Sequence, residues 1–515
     1  MSLTNATPLE VAHAAKIGSR KLAVLPTEAR NAALTAVHSA LFAAKNEILA
    51  ANALDLKAAR KAAEDGKLSQ SLVKRLDLGK AGKYEDMLQG ILNVRELEDP
   101  INKITMRTLL DDDLILEKKT SPIGVLLIIF EARPEVIANI ASLAIKSGNA
   151  AILKGGKEST ESFKAISTTI STALATTSVP ASCLQLVQTH DVIADLLKLD
   201  QFIDLVIPRG GNKLVRTIKN STTIPVLGHA DGLCTIYLRA DCPVEIAVRV
   251  LVDAKTSYPA GCNAVETLLV DEDALTTILP AVATALIEKG VSLRCDSASK
   301  SALIQTLAPH AAVLLQDAVP SDYETEFLDL ILAIKTIPTP SPSSTPSDLI
   351  QVERAISHIN THSSHHTDAI LTSSLPASSL FLSAVDSASV YWNTSTRMAD
   401  GMRYGFGTEV GISTNKIHAR GPVGLEGLTI YRWLVRGRGQ VSTDYGSHVG
   451  GKKWRHERMA VGGQGKVGVW DDEGVARNEE EREVLRKFRK EKEWREMAVE
   501  GAQGAWAEME KAGGV

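Results

Sequence analysis

Residues 122–134, Pro-Ile-Gly-Val-Leu-Leu-Ile-Ile-Phe-Glu-Ala-Arg-Pro, decide the fold. The run from Ile123 to Phe130 is almost wholly apolar, which is typical of a strand covered on both faces. A helix is predicted over 136–147, ending near Gly148, and a second strand over 150–153. Strands and helices that alternate at these lengths predict an α/β fold built on a doubly wound parallel sheet.

A second strand–helix–strand unit follows, with strands over 184–187 and 205–207. Each unit ends in a basic turn with two glycines, Lys154-Gly155-Gly156 in the first and Arg209-Gly210-Gly211 in the second. Glycine lets backbone N–H groups approach an anion, and the cation neutralises it. Either turn alone is consistent with a simple tight turn, and the G-x-G-x-x-G fingerprint is absent. Together they predict a phosphate-bearing ligand at the carboxyl ends of these strands.

Cys262 lies in a polar turn between a predicted helix over 244–255 and a predicted strand over 267–270. Gly261 precedes it and Asn263 follows it. This setting is typical of an exposed nucleophile. A free cysteine is, however, more often a small buried apolar residue, and the local sequence alone favours that alternative.

Composition narrows the class of protein. A chain of 515 residues predicts two or three domains. The net charge of -4 offers no electrostatic case for nucleic-acid binding. The five cysteines lack metal-ligand spacing and predict a reducing compartment, the cytoplasm. We predict no membrane span, because no apolar run reaches about 18 residues. We predict no secretory signal, because residues 1–10 lack a basic region followed by an apolar run.

Several other segments carry their own expectations. Residues 8–90 are predicted to be helical, with Leu34, Val37, Leu41, Ala44 and Ile48 along one face. A strand is predicted over 311–315, and apolar residues recur over 328–334. The glycine-rich stretch 397–427 is predicted to be a functional loop. The tail 443–515 is predicted to be an appended helix, over about 478–499, with mobile flanks.

Four histidines occur close together, namely His358, His362, His365 and His366. The first two are four residues apart, so a metal site is one interpretation. The stretch has no cysteine and no carboxylate pair at the usual ligand spacing. We therefore predict no metal site here, and a helix end exposed to solvent.

Four stretches together resemble the gamma-glutamyl phosphate reductase family of the aldehyde dehydrogenase superfamily. They are 122–125 with 131–134, 204–211, 262–264 with 266–270, and 418–426. The similarity covers residues 8–442. It implies a Rossmann-type cofactor domain, an α/β catalytic domain and a small oligomerisation element of strands.

The resemblance implies the following division of the chain. An NADPH-binding domain comprises 1–106 and 122–231, oligomerisation strands comprise 107–121 and 428–442, and a catalytic domain comprises 232–427 with a flexible insertion at 337–349; a charged extension covers 443–515.

The resemblance also implies roles for residues. Cys262 is the nucleophile, and Asn263 with nearby backbone N–H groups stabilises the oxyanion. Lys154, beside Gly155 and Gly156, contacts the adenosine ribose where a 2′-phosphate lies. Arg209, Gly210 and Gly211 lie near the pyrophosphate, and Glu326 holds the nicotinamide ribose. Candidate binders of the substrate's phosphate and carboxylate are Arg133, Arg403 and Arg420, each with a structural ion pair as the alternative.

The implied reaction is the NADPH-dependent reduction of L-glutamyl 5-phosphate to L-glutamate 5-semialdehyde through a thioester on Cys262, the second step of proline biosynthesis from glutamate. Aldehyde-oxidising relatives need a glutamate base, and 228–232 contains none. They also carry an asparagine where this chain has Ala132. Both departures favour reduction.

The implied partners are a separate glutamate 5-kinase and further copies of this chain. Two other functions remain open: an NAD(P)-dependent aldehyde dehydrogenase that oxidises a small semialdehyde, and a non-catalytic scaffold that acts through the 443–515 tail.

Overall fold

The computed structural model describes residues 6–68, 70–131, 133–187, 192–229, 231–309, 314–340, 349–447 and 450–461. The chain divides into two compact units. The first comprises 1–101 with 121–430, and the second comprises 102–120 with the chain from 431 onward. No helix within the described ranges is both long enough and apolar enough to cross a bilayer.

Helices and strands are numbered here in chain order. The helices are α1 Pro8–Leu22, α2 Thr27–Ala43, α3 Lys45–Glu64, α4 Gln70–Leu76, α5 Lys83–Glu96, α6 Val136–Ser147, α7 Thr160–Leu174, α8 Val192–Leu196, α9 Asn212–Lys219, α10 Val244–Thr256, α11 Leu279–Glu288, α12 Ser297–Thr306, α13 Ile350–His362 and α14 Leu375–Ala384. The strands are β1 Ile104–Asp111, β2 Leu114–Pro122, β3 Val125–Phe130, β4 Ala150–Lys154, β5 Leu184–Leu186, β6 Leu205–Arg209, β7 Cys234–Leu238, β8 Val265–Asp271, β9 Ser292–Cys295, β10 Leu315–Asp317, β11 Ile331–Ile337, β12 Thr367–Leu371, β13 Ser389–Trp392, β14 Ile412–Ser413, β15 Gly421–Pro422, β16 Thr429–Arg436 and β17 Glu457–Met459.

The first sheet of the first unit has the order β5-β4-β3-β6, with parallel pairs throughout. All six residues of β3 are buried. This confirms the strand covered on both faces that the apolar run predicted. The sheet is parallel because a helix (α6, α7 or α8) follows each strand and returns the chain to the side of the sheet where the next strand begins.

The N-terminal helices pack against this sheet in one large apolar core. Leu34, Val37, Leu41 and Ile48 are fully buried, as their helical spacing predicted. These residues belong to two helices and not to one, however, because α2 ends at Ala43 and α3 begins at Lys45.

The second sheet has seven strands in the order β10-β9-β11-β8-β7-β12-β13, and its pairs are parallel. Apolar clusters cover both of its faces. The two parallel sheets confirm the predicted fold class. The strand predicted over 311–315 overlaps β10 only at Leu315, since β10 runs from Leu315 to Asp317, and 310–313 lie outside the described residues. The second half of the apolar stretch 328–334 begins β11, which runs from Ile331 to Ile337.

The second unit holds a sheet of order β16-β2-β1-β17, in which β1 pairs antiparallel with both β2 and β17. The tail was predicted to contain only a helix, but its described part contributes β17, with Arg107 opposite Met459. The predicted helix over about 478–499 lies outside the described residues, as does most of the insertion at 337–349.

A buried ion pair closes the turn that carries Cys262. Lys255, on α10, and Glu266, on β8, are joined by an Nζ–Oε2 distance of 2.7 Å, and both side chains are almost wholly buried. Burial lowers the pKa of Lys255 and raises that of Glu266, which reflects the cost of holding two charges away from water. The other oxygen of Glu266 accepts the amide of Leu328 at 3.3 Å. The pair therefore ties the two ends of the turn together.

We expect Lys255→Met to reduce the free energy of unfolding by about 3–5 kcal/mol, because it leaves Glu266 as an unpaired buried carboxylate. The double variant Lys255→Met/Glu266→Leu removes both charges and should recover most of that loss. Urea titrations of the two variants and the natural protein measure this. Equal instability of the single and double variants would contradict it.

Candidate active site

Segments that carry predicted site residues, together with some neighbouring segments, lie at the carboxyl ends of the strands in the first sheet and at the amino ends in the second sheet. In the first sheet they follow the carboxyl ends of β3, β4 and β6. In the second sheet they precede the amino ends of β7, β8, β11 and β12, and they carry His229, Cys262, Glu326 and His366 respectively. Because β11, β8, β7 and β12 are consecutive neighbours, these four segments lie side by side.

Cys262 differs from the other cysteines of the chain in its exposure. It is partly exposed, whereas Cys183, Cys234, Cys242 and Cys295 are buried. Burial raises the pKa of Cys183 and of Cys295 to about 12, that of Cys242 to about 11, and that of Cys234 well above its usual value. These four thiols remain protonated near neutral pH, so Cys262 is the thiol positioned to act as a nucleophile.

The backbone of Gly232 passes very close to the nucleophile. A Cβ atom at this position would lie 2.1 Å from the carbonyl oxygen of Cys262. The amide of Gly232 donates a hydrogen bond of 3.0 Å to Oε1 of Glu326, and burial raises the pKa of that carboxyl group. Glu326 is thus part of the Cys262 surroundings. Its predicted contact with the nicotinamide ribose remains a prediction.

Two guanidinium groups lie near the thiol. Arg209 interacts electrostatically with both Glu409 and Cys262, and burial lowers the Arg209 pKa. Arg397 also interacts with Cys262, and it packs over the Tyr258 ring at 5.5 Å from the centroid. A Cβ at Gly261 would meet Nη1 of Arg397 at 2.7 Å. Arg397 therefore lies against the turn that precedes the nucleophile.

Glu409 supplies a negative charge to the same region. Burial raises its pKa to about 6, opposed by Arg209. Its Oε2 accepts the amide of Gly401 at 2.7 Å.

Two histidines lie beside Cys262. One ligand atom each from His229, Cys262 and His366 lie within 4.8 Å of one another. The rings of His229 and His366 meet edge to face at 4.9 Å between centroids. Burial lowers the pKa of His229, so its imidazole is neutral near neutral pH. The segment 228–232 contains no glutamate, but it places a different base near the thiol.

The histidine cluster predicted from sequence is separated by the structure. His366 is fully buried, so the predicted solvent-exposed helix end is wrong for this residue. Because His366 immediately precedes β12, its side chain lies at the amino end of this strand, beside Cys262. His358 and His362 remain together on α13, with 4.4 Å between their ring centroids. Burial lowers the pKa of His358 to about 3.

The first basic glycine turn opens into a groove. Gly155, Gly156, Lys157, Thr160, Phe163, Lys164, Leu186 and Val187 line it. A Cβ at Gly155 would lie 1.9 Å from the Phe163 ring, so only glycine fits there. Lys154 is nearly buried, and its Nζ donates to the carbonyl of Gly155. Burial lowers the Lys154 pKa.

The second basic glycine turn already binds an anionic oxygen. The amide of Gly211 donates a hydrogen bond of 3.2 Å to Oε1 of Glu131. The amide of Glu131 in turn donates to the carbonyl of Arg209 at 3.1 Å. The turn therefore has the donor geometry that an anionic ligand requires.

The remaining predicted site residues have these positions. Arg133 lies near enough to Arg209 for the two cations to interact. Nη1 of Arg403 donates to the carbonyl of Arg397 at 2.6 Å. Arg420 binds the Asp386 carboxylate and carbonyl, each at 2.9 Å, and so makes the structural ion pair that was its alternative.

Asn263 is buried beside the nucleophile, and its amide nitrogen donates to the carbonyl of Ala399 at 2.8 Å. Its Oδ1 has no hydrogen-bond partner among the described residues. Ala132, expected in place of an oxyanion donor, lies outside them.

Sequence reasoning missed Arg397, Glu409, His229 and His366 as neighbours of Cys262. The first two lie in the glycine-rich stretch that was predicted to be a functional loop. His229 lies in the segment 228–232, which lacks the glutamate of aldehyde-oxidising relatives. The charged or titratable character of these residues was the available signal, and only the folded chain shows which of them approach the thiol.

Known proteins resemble this chain along most of its length. A comparison with models of protein families found no match. The probable gamma-glutamyl phosphate reductase of Schizosaccharomyces pombe is 52% identical over 440 residues, which cover 85% of this chain and 94% of that protein. The gamma-glutamyl phosphate reductase of Saccharomyces cerevisiae is 47% identical over 465 residues, covering 88% and 98%.

Solved structures agree with these relatives. The crystal structure of gamma-glutamyl phosphate reductase from Thermotoga maritima matches with a TM-score of 0.77 and 34% identity, covering 85% of this chain and all of that one. Propionaldehyde dehydrogenase of Rhodopseudomonas palustris shares the fold alone, with a TM-score of 0.57 and 12% identity over 83% of this chain and 96% of that one. With relatives at this identity and coverage, the chain belongs to the gamma-glutamyl phosphate reductase family, which are oxidoreductases with an aldehyde dehydrogenase-like fold.

Proposed function

We propose that this enzyme reduces L-glutamyl 5-phosphate to L-glutamate 5-semialdehyde and phosphate, with NADPH as reductant, as the second step of proline biosynthesis from glutamate. The observation that carries the proposal is the partly exposed Cys262 thiol beside the two guanidinium groups of Arg209 and Arg397. An acyl phosphate is dianionic near its reacting carbonyl, so a nucleophile flanked by cations suits it better than an uncharged aldehyde.

The residues of the first sheet fit a phosphorylated dinucleotide. The Gly211 amide already holds a carboxylate oxygen, which occupies the kind of position a pyrophosphate oxygen would take. Lys154, with Gly155 and Gly156, leads into a groove that also contains Lys157 and Lys164. NADPH, when bound, supplies the hydride. We propose that Lys154 contacts the 2′-phosphate of the cofactor and that the turn 209–211 contacts its pyrophosphate. Glu326 is proposed to hold the nicotinamide ribose.

The chain's own groups carry the covalent steps. Sγ of Cys262 attacks the γ-carbonyl, the C–O bond to phosphate breaks, and phosphate leaves with its electron pair. After reduction of the thioester carbon, the thiohemiacetal oxygen re-forms the carbonyl and Cys262 leaves as thiolate. Backbone N–H groups near Cys262 and the Asn263 side chain stabilise the oxyanion. His229, neutral and close to Sγ, accepts the thiol proton in the first step.

The substrate also needs partners for its other charges. Arg133 and Arg403 are proposed to bind its phosphate or α-carboxylate, since both lie near the cations that flank Cys262. Arg420 remains a weaker candidate because Asp386 already occupies its guanidinium. A separate glutamate 5-kinase would supply the labile acyl phosphate, and we propose a cytoplasmic homo-oligomer.

One observation favours the oxidative alternative, an aldehyde dehydrogenase acting on a small semialdehyde. His229 is a base that could activate water as well as the thiol. In the direction of aldehyde oxidation, phosphate and water compete to accept the acyl group from the Cys262 thioester. The two functions therefore differ in whether they require phosphate.

We expect the enzyme to reduce NADP with glutamate 5-semialdehyde only when phosphate is present. The reason is that phosphate is the acceptor that releases the acyl group from Cys262. The measurement is the appearance of NADPH absorbance in matched buffers with and without phosphate. Cys262→Ala should abolish it, whereas Cys242→Ala, at a buried thiol, should not. Equal turnover without phosphate would favour the oxidative function, and turnover by Cys262→Ala would exclude both.

Gly232→Ala should lower kcat/KM at least about 100-fold while the protein stays folded. The added Cβ would overlap the Cys262 carbonyl, which must shift, and a displacement of about 1 Å at a reacting group can have this effect. Steady-state kinetics together with circular dichroism test it. Gly79→Ala is the control, because its Cβ would meet only Oδ1 of Asp77 at 3.2 Å. Unchanged kinetics in Gly232→Ala would contradict the close approach.

Lys154→Met should raise KM for NADPH by about 10- to 100-fold and leave KM for NADH nearly unchanged, because it removes one charged partner of the 2′-phosphate. Lys198→Met is the control, because Lys198 lies outside this groove and pairs with Asp195 at 3.1 Å. A parallel rise for both cofactors would show that Lys154 does not read the 2′-phosphate.

A further inference from the structure

The cluster of His229, Cys262 and His366 has a property beyond the proposed reaction, which uses no metal ion. Sulfur and imidazole nitrogen are the ligand types that Zn²⁺ and related divalent ions prefer. We propose that this cluster binds Zn²⁺ through all three side chains and that the bound ion inhibits the enzyme reversibly by holding the Cys262 thiolate. The inhibition rests on the proposed function, whereas the binding does not.

The hydrogen bonds of the two rings orient them for metal binding. Nδ1 of His229 contacts the carbonyl of Ile412 at 2.9 Å, and Nδ1 of His366 contacts Oγ1 of Thr367 at 2.9 Å. Metal-ligating histidines usually use their second nitrogen in this way. In both rings the nitrogen left available is Nε2.

His366 gives the strongest sign of an unfilled role. Its side chain is fully buried, and its Nε2 has no hydrogen-bond partner among the described residues. A buried polar atom without a partner is unfavourable, because it has lost its hydrogen bonds to water without replacing them. A ligand that engages Nε2 would recover part of this cost, and a cation bound jointly with His229 and Cys262 meets that requirement.

The separation of the ligand atoms is close to what zinc needs. Zn–N bonds of about 2.0–2.1 Å and Zn–S bonds of about 2.3 Å place neighbouring ligand atoms about 3.3–3.6 Å apart in a tetrahedral site. One ring nitrogen of each histidine and Sγ of Cys262 lie within 4.8 Å of one another, so roughly 1 Å must close to reach the zinc geometry. Cys262 and His229 are partly exposed and can rotate toward the buried His366. Three protein ligands leave a fourth position for water.

The charges around the cluster oppose one another. His229 interacts electrostatically with Glu326 and Glu409, whose carboxylates favour a bound cation. Arg209 and Arg397 disfavour one. A phosphorylated substrate has the reverse preference, because the guanidinium groups attract it. Substrate and metal should therefore exclude each other at Cys262.

The first experiment measures binding without reference to activity. The full chain, free of substrate, is titrated with Co²⁺, and the thiolate-to-cobalt charge-transfer absorption is recorded; Zn²⁺ is then added as competitor. We expect one equivalent of Co²⁺, displaced by Zn²⁺. Cys262→Ala should lose the charge-transfer band, and His229→Gln and His366→Gln should each weaken binding at least about 10-fold. His362→Gln, on α13 and paired with Glu324, is the matched control.

Unchanged affinity for Co²⁺ in both histidine variants would overturn the proposed site, since Cys262 alone would then hold the metal. The absence of a complex with one equivalent of Co²⁺ would overturn it as well. Circular dichroism reports whether the buried His366→Gln variant folds, and the partly exposed His229→Gln keeps the test decisive if it does not.

The second experiment measures reductase activity at increasing concentrations of Zn²⁺. We expect inhibition at the concentrations that fill the site, competitive with the acyl phosphate and reversed by a chelator. Binding without inhibition overturns the inhibitory role, whereas binding by a chain that shows no reductase activity overturns the proposed function and leaves the site standing.

Discussion

The buried ion pair between Lys255 and Glu266 is the interaction on which the site depends. It joins the last turn of α10 to the start of β8, so the intervening turn cannot open without separating two charges away from water. Glu266 also accepts the amide of Leu328. Two residues earlier, Glu326 accepts the amide of Gly232, whose backbone touches the carbonyl of Cys262. Two carboxylates, those of Glu266 and Glu326, thus hold several neighbouring segments around Cys262.

The arrangement of the two parallel sheets explains how the site is assembled from distant segments. Parallel strands place all their carboxyl ends at one edge and all their amino ends at the other. The first sheet contributes its carboxyl edge, with the basic glycine turns, and the second contributes its amino edge, with Cys262. The electrostatic interaction of Arg209 with Cys262 links the two edges within the first unit. The predicted cofactor-binding groups and the predicted nucleophile therefore belong to different sheets and need no sequence proximity.

Burial distinguishes four cysteines from the partly exposed Cys262. Cys234 begins β7 only a short distance from the nucleophile, and its Sγ contacts the Cys262 carbonyl at 3.3 Å. Yet burial holds its pKa far above neutral. Cys262 remains accessible because it lies in the turn before β8 rather than within the strand. The same accessibility, together with His229 and His366, is what opens the thiol to soft metal ions.

The sequence by itself determined the alternation of strands and helices and the two basic glycine turns, because buried parallel strands and glycine turns are set by local composition. It also predicted Cys262 as the nucleophile. It misplaced the strand at 311–315, where the apolar run is short, and it missed β17 in a charged tail. It also grouped His366 with His358 and His362, because neighbours in sequence were taken as neighbours in space. Only the tertiary structure decided that His366 lies beside Cys262 and Arg420 beside Asp386. The physical reason is that strand order in a parallel sheet follows from how helices pack on its faces, and that packing is a property of the whole chain.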